Sequence, residues 1–421
     1  MNENALEIWR TLMEKGTANL GQAEYIRAED FFRRSLRVAN QLDAPVIKAF
    51  TLRLLATAQV KQGKTEAAER GFREALRICE EASNLKGMSE AYAGLASVAV
   101  ETNNLETAIV WYKRAIQVYP STSPQLRLAM LHSDLGQVYS AAERWKEAQA
   151  TYGYAMELCD LYGYPKGEGE LSVLIGEACF RQGDKAGAQS YILRSCQIFA
   201  KLQERNSLIN ALQYFAFMKF EQQELEAARE SLQRAVVLQV HYAFWEEVSE
   251  SSYFLAKILQ GLDLLDEAHY YLKLSIECTH EENVGMALRL LSLGKLLTLK
   301  QDFVAAKESI IQAASLFEHL GDDLRLGEAY EHLAFLADCL GQEEEAEKYR
   351  QESIRALVGQ NVVSLSAVQR LAEYYEQRHN YLDALQCYWQ SLQIAREIGY
   401  ETKELERAVQ RISKRVRKKK R

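Results

Sequence analysis

Few residue groups in this chain suggest chemistry, and their neighbours test each of them. Gly63-Lys64-Thr65 resembles the end of a phosphate-binding loop, in which backbone N–H groups cradle phosphates and the lysine meets their charge. Such a loop needs a preceding strand and a glycine five residues earlier; position 58 is Ala58, so the segment reads as a turn. Gly167-Glu168-Gly169 begins like a dinucleotide fingerprint but has Ser172 in place of the third glycine, and it too reads as a turn. The seven histidines, at 132, 241, 269, 280, 319, 332 and 379, include no H-E-x-x-H and no pair four apart. His280-Glu281-Glu282 reads as a solvated turn, and no serine sits in a G-x-S-x-G elbow. Glu246-Glu247 and Glu343-Glu344-Glu345 are placed on helix surfaces. The expectation is a protein with no catalytic residue, no metal and no cofactor.

Composition narrows the class. Hydrophobic residues make up 48% and charged residues 26% of the 421, the balance of a globular chain. Only four prolines occur, Pro45, Pro120, Pro124 and Pro165, as expected of a chain that is almost entirely helical. The start, Met1-Asn2-Glu3-Asn4-Ala5-Leu6-Glu7, lacks the basic and apolar regions of a secretory signal, and no apolar run is long enough to span a membrane. Seven cysteines, at 79, 159, 179, 196, 278, 339 and 387, form no C-x-x-C pair and read as reduced core thiols of a cytoplasmic protein. The net charge of -7 is uneven: residues 407–421 hold nine Lys or Arg and no acid, which leaves -16 on residues 1–406. An acidic body repels phosphate backbones, so nucleic acid is disfavoured as a partner except through the tail Lys414–Arg421. That tail has four readings: a solvated helix extension, a polybasic contact, a nuclear-type address, or docking onto the protein itself.

The elements that position these residues follow a repeat. Ala28, Ala68, Ala108, Ala148, Ala188, Ala228, Ala268, Ala306, Ala346 and Ala384 are spaced by 40 residues six times, then by 38, 40 and 38. Twelve residues before each stand Gly16, Ala56, Ala96, Gly136, Gly176, Ala216, Ala256, Gly294, Ala334 and Ala372. Seven residues after each stand Ser35, Ala75, Ala115, Ala155, Ser195, Ala235, Ser275, Ala313, Ser353 and Ser391. Two helices approach closely only where side chains are minimal, so small residues on both predict a tightly closed helical hairpin. Large residues fill the rest: Leu, Ile or Phe one position before the first small column, failing only at Lys15, and an aromatic or aliphatic residue four after each alanine, failing only at Arg350. Turn signals such as Gln62-Gly63-Lys64, Asn103-Asn104, Gln182-Gly183-Asp184 and Leu340-Gly341-Gln342 separate helix A from helix B.

These three small columns resemble the tetratricopeptide repeats, which carry small residues at the eighth, twentieth and twenty-seventh positions. The resemblance covers residues 3–398, and the period of 40 is similar to the longer-helix variety of Rap-type peptide receptors, kinesin light chains and LGN/Pins scaffolds. It implies an all-α fold, a right-handed superhelical solenoid of ten hairpins running as one body over 1–398. A capping helix over 399–413 would follow, with Leu405, Ala408, Val409, Ile412 and Val416 on its apolar side, then the basic tail 414–421. The proline that often closes the family's repeat occurs only at Pro120, so the inter-repeat turns are expected to be made differently.

The resemblance also implies a ligand groove lined by helix A, at positions eighteen, fifteen, eleven, eight and seven residues before each alanine. Those positions carry Phe50, Arg53, Thr57, Glu90, Ser97, Ser133, Gln137, Glu170, Glu177, Phe180 and Arg181. Further along they carry Asn210, Gln213, Phe217, Phe220, Tyr253, Lys257, Gln260 and Lys295. Asn210 and Gln213 each offer a donor and an acceptor to an extended backbone. Phe217, Phe220 and Tyr253 form either an apolar floor or packing between neighbouring helices. Glu328, Glu331, Asp338, Glu373 and Glu376 make an acidic end that favours a basic peptide or the protein's own tail. Arg53 with Thr57, Ala93 with Ser97, and Ser133 with Gln137 depart from the Lys-Asn pattern of chaperone-tail adaptors.

The expected function is non-catalytic: capture of a peptide or extended protein segment in the groove, as a regulatory receptor or adaptor. The alternative is a structural scaffold that assembles folded partners or self-associates into a homo-oligomer. A Rap-type sensor would begin with a separate effector segment, whereas here the first repeat starts within the first ten or so residues.

Overall fold

The computed structural model describes residues 3–42, 44–357 and 361–419, and the side chains of all of these except 361–364 and 417–419. Among the described residues it contains twenty-one α-helices and no strand. They divide into two compact units, Met1–Phe215 and Ala216–Arg421. The first holds α1 (Glu3–Gly21), α2 (Tyr25–Ala39), α3 (Pro45–Val60), α4 (Thr65–Glu81), α5 (Leu85–Glu101), α6 (Leu105–Val118), α7 (Gln125–Ala141), α8 (Trp145–Leu161), α9 (Pro165–Arg181) and α10 (Lys185–Leu202). The unit boundary falls inside α11 (Arg205–Glu221). The second unit holds α12 (Leu225–His241), α13 (Trp245–Gly261), α14 (Leu265–Glu277), α15 (Val284–Leu299), α16 (Phe303–Leu320), α17 (Asp323–Cys339), α18 (Glu343–Ala356), α19 (Asn361–Gln377), α20 (Tyr381–Glu397) and α21 (Lys403–Lys419). Odd-numbered helices up to α19 are helix A of a hairpin, and even-numbered ones are helix B.

The small columns are small because there is no room. All ten alanines of the reference column are fully buried, and so is every residue of the two flanking columns. A Cβ added at Gly16 would sit 2.5 Å from the Phe32 ring, and one at Gly176 would sit 2.6 Å from Ile192. Gly136 and Gly294 face Tyr152 and Ile310 in the same way. The glycines of helix A therefore lie under the large residue that helix B places four positions after its alanine, and that side chain fills the hairpin.

The turns repeat as strictly as the helices. Five residues before each alanine the backbone is left-handed, at Ala23, Gly63, Asn103, Glu143, Gly183, Gln223, Asp263, Gln301, Gly341 and His379. The next N–H returns to the last turn of helix A, as in Asn104 N to Ala99 O at 2.7 Å and Asn380 N to Tyr375 O at 2.9 Å. The same device links hairpins at Ser83, Gly163, Gln203, Ala243, Gly321 and Gly399, so a left-handed residue does what the family's proline often does. Two described connections differ: Tyr119–Pro124 carries two prolines, and Asn283 is extended before α15.

Three local expectations need correction or completion. Gly167 and Gly169 lie inside α9, not in a turn; a Cβ at Gly167 would meet Tyr164 and Cys159, and one at Gly169 would meet Phe199, so close packing demands glycine there. Gly63-Lys64-Thr65 is the turn before α4, and Lys64 serves a buried carboxylate: Glu29 accepts from Lys64 at 2.7 Å, Gln59 at 3.2 Å, Gln62 at 3.0 Å and Arg33 at 2.7 Å. Burial pushes Glu29 up, but these donors win and hold it at about 2. Six cysteines are buried, whereas Cys339, at the end of α17, is exposed.

The last hairpin is covered by α21, which buries Leu405, Ala408, Val409 and Ile412 against Leu371, Tyr388, Leu392 and Ala395. Its Arg411 and Arg415 donate to Glu376 at 2.7 and 3.2 Å. The tail beyond Lys419, and the side chains from Arg417 onward, lie outside the described residues.

Candidate functional site

In the first unit α3, α5 and α7, the helices A of three successive hairpins, enclose a pocket of about 540 Å³. The repeat frame brings them side by side, so residues about 40 apart in sequence become neighbours. α3 contributes Arg53, Leu54, Thr57 and Val60; α5 contributes Glu90, Ser97 and Val100; α7 contributes Arg127, Asp134, Gln137 and Val138. Phe72 of α4 and Tyr112 of α6 reach in from the B helices.

A charged network forms one wall. Arg127 donates Nε to Glu90 Oε1 at 3.0 Å and Nη2 to Oε2 at 2.9 Å, a bidentate pair. Arg53 Nη1 lies 3.6 Å from Glu90 Oε2, and its guanidinium is 5.5 Å from the Phe50 ring. These side chains are largely withdrawn from water, with 15% of Arg53 and 21% of Glu90 exposed. Burial pushes Glu90 up, but the hydrogen bonds and charge of Arg127, then Arg53, hold it below the usual carboxylate range. For Arg127, burial acts downward and Glu90 more than reverses it. Burial dominates at Arg53, which is lowered, and at Asp134, which is raised although Arg127 opposes the shift. The Tyr112 hydroxyl stands 3.5 Å from Ser97 Oγ, and burial raises that phenol.

The arrangement suits recognition of polar backbone by fixed groups over an apolar base. Arg53 makes one loose ion contact and keeps N–H donors for a carbonyl. Thr57 donates to Arg53 O at 2.9 Å and Ser97 to Ala93 O at 3.2 Å, so both hydroxyl oxygens turn acceptor lone pairs outward. Gln137 is exposed and offers both functions of its amide. Val60, Val100, Val138 and Phe72 supply the base.

The expected groove residues divide. Arg53, Thr57, Glu90, Ser97 and Gln137 come together in this pocket, although Glu90 is committed to Arg127 and so positions its neighbours. Ser133, Glu170, Glu177 and Arg181 do not line it; Glu177 lies 4.0 Å from Arg181, which stands over Trp145 at 5.8 Å. In the first unit's part of α11, Asn210 is exposed and Gln213 half-buried. In the second unit Phe217 is 38% exposed, but Phe220 meets Phe254 edge-on at 5.2 Å. Tyr253 donates to or accepts from Ser292 at 3.1 Å and lies under Lys257 at 4.4 Å and Arg289 at 5.3 Å. Phe220 and Tyr253 thus pack between helices. At the acidic end this protein's own cations meet four of the five carboxylates: Lys295 meets Glu328 at 2.5 Å, Arg370 meets Glu331 at 2.5 Å, Arg350 holds Asp338, and Arg411 together with Arg415 of the basic tail holds Glu376.

The sequence columns missed Arg127, Asp134 and Tyr112. Arg127 lies 37 residues after Glu90, three short of the period. That offset sets it across from Glu90 on the adjacent helix, a charge pair visible in the frame once neighbouring repeats are read against each other. Among the described residues no cluster of three or more His, Cys, Asp or Glu could hold a metal, and no helix is long and apolar enough to cross a membrane.

A family model described as tetratricopeptide repeat matches residues 49–121, the stretch that holds α3 to α6. A search of the curated proteins returns no match. Among solved structures, aspartyl phosphate phosphatase F from Bacillus subtilis is 12% identical, with 83% of this chain and 93% of that one covered and a TM-score of 0.49. A Rap protein complexed with competence and sporulation factor is 14% identical, with 83% and 99% covered and a TM-score of 0.44. A signal-transduction ATPase with a tetratricopeptide-repeat sensor from Pyrococcus horikoshii is 14% identical, with 91% and 54% covered and a TM-score of 0.45. The tetratricopeptide-repeat model matches residues 49–121, and the same hairpin, with its buried small columns and left-handed turn, recurs in both units, so the rest of the chain resembles that repeat.

Proposed function

We propose that the chain is a non-catalytic binding module that takes up an extended peptide or protein segment in the pocket between α3, α5 and α7, as a receptor or adaptor. The observation that carries this reading is the pocket's inventory: a donor at Arg53, acceptors at Thr57, Ser97 and Asp134, and an amide at Gln137, set around an apolar base of 540 Å³ scale. A peptide backbone presents alternating N–H and C=O groups, and its side chains need apolar surface, so this inventory matches it on both counts. The Glu90–Arg127 pair holds α5 to α7 and keeps Arg53 oriented, which preorganises the site and lowers the ordering cost of binding.

The test is selection from a random peptide display library on the full chain. Enrichment of a consensus is expected, and Arg53→Ala combined with Gln137→Ala should weaken an enriched peptide about tenfold or more, because a charge-assisted and an amide hydrogen bond are removed together. Helical circular dichroism checks that the variant is folded. A consensus that binds the variant as well as the parent would place capture elsewhere.

A further inference from the structure

The last hairpin and the helix that covers it present apolar and cationic groups side by side. Five positions after the reference alanine, six of the ten hairpins place Arg33, Arg73, Lys113, Gln233, Lys273 or Gln351, whereas α20 places Trp389. Trp389 is 52% exposed, and Leu382, seven residues earlier on the same side of α20, is 59% exposed. Seven residues after Trp389, Arg396 donates to Glu406 of α21 at 3.3 Å, which ties this stripe to α21. α21 turns back along α20 after the left-handed Gly399. Seven residues along each helix, about 10 Å, therefore set Trp389 level with Ser413 and Lys414. The apolar side of α21 is committed to the hairpin beneath it. The opposite side carries Arg407, Gln410 and Lys414, three or four residues apart and all exposed. Arg407 and Lys414 have no ion-pair partner among the described residues, whereas Arg411 and Arg415 are held by Glu376. The acids of α21, Glu404 and Glu406, stand in its first turn; residues 407–421 contain none, and five more cations follow at 417–421.

We propose that this surface docks on an anionic phospholipid bilayer. Arg407 and Lys414, with the cations that follow them in sequence, meet the headgroup phosphates. Trp389 and Leu382 enter the boundary between headgroups and acyl chains, where an indole ring is favoured. The contact is peripheral, because the apolar side of α21 is already covered by the last hairpin. At physiological ionic strength exposed charges more than about 8 Å away are largely screened, so this face, and not the acidic sum of the chain, sets the sign of the partner. Nucleic acid shares the phosphate but not the apolar component: Leu382 has no role in base stacking, and no aromatic residue stands among residues 407–421.

Co-sedimentation of the full chain with lipid vesicles tests this. Vesicles of equal parts phosphatidylserine and phosphatidylcholine should pellet the protein, and phosphatidylcholine alone should not. Raising the salt from about 0.1 M to about 1 M should release it. Arg407→Gln with Lys414→Gln should weaken binding about tenfold or more, and so should Leu382→Ser with Trp389→Ser. All four side chains are exposed, so both variants keep the fold, which helical circular dichroism checks. Brominated lipid in the mixed vesicles should quench the tryptophan fluorescence of the parent more than that of Trp389→Phe. Equal binding to both kinds of vesicle, an affinity unchanged in either double variant, equal quenching in parent and Trp389→Phe, or tighter binding of poly(U) RNA than of the mixed vesicles overturns the proposal.

Discussion

Serine occupies five of the ten positions of the third small column, alanine the other five, and its neighbours decide what that hydroxyl is worth. Ser35 is fully buried and its Oγ has no partner. Ser275 is equally buried, but its Oγ donates to Ser249 O at 2.6 Å and accepts from Arg289 Nε at 2.7 Å. A buried hydroxyl without a partner costs about 1 kcal/mol or more, whereas one that satisfies a buried guanidinium is expensive to remove. Urea unfolding should therefore show Ser35→Ala more stable by about 1 kcal/mol and Ser275→Ala less stable by about 1–3 kcal/mol. The same substitution in the same column should act with opposite signs. Size alone could be read from the sequence at these positions. Which serine has work to do depends on Arg289, fourteen residues away in the next hairpin, and no column displays that.

At the scale of the helical hairpin, the period, the helix pairing and the turn positions were legible because each follows from backbone geometry. Glycine misled the reading in one place. Gly167 and Gly169 look like turn residues, yet they are helical because Tyr164, Cys159 and Phe199 press against the backbone there. Conversely, several true turns carry no glycine, and the left-handed backbone at Ala23, Gln203 and Ala243 is imposed by helix ends that need their carbonyls satisfied. An alanine at a φ of 58° bears a strain that glycine does not. Ala243→Gly should accordingly raise the stability of the second unit by about 1 kcal/mol, measured as a shift in the urea midpoint at constant slope. A loss of stability would mean that the turn between α12 and α13 is not left-handed.

For the whole molecule, charge is the property that sequence reading resolved least well. The sum of -16 over residues 1–406 argues only against nucleic acid; the acidic end of the last repeats pointed to basic ligands, but ion pairs between successive elements occupy Glu328, Glu331 and Glu376 there. What remains is local: the donor and acceptor set around Arg53 in the first unit. It could not be seen without knowing which helix faces lie side by side, since Arg127 sits outside the positions expected to matter. The central claim is that the face made by α3, α5 and α7 captures an extended segment. Hydrogen–deuterium exchange of the full chain with and without an enriched display peptide tests it most directly. Slowed exchange is expected in Leu54–Val60, Ser97–Val100 and Gln137–Ala141, with α4, α6 and α8 unchanged on their outer faces. Protection confined to the B helices, or none at saturating peptide, would contradict it.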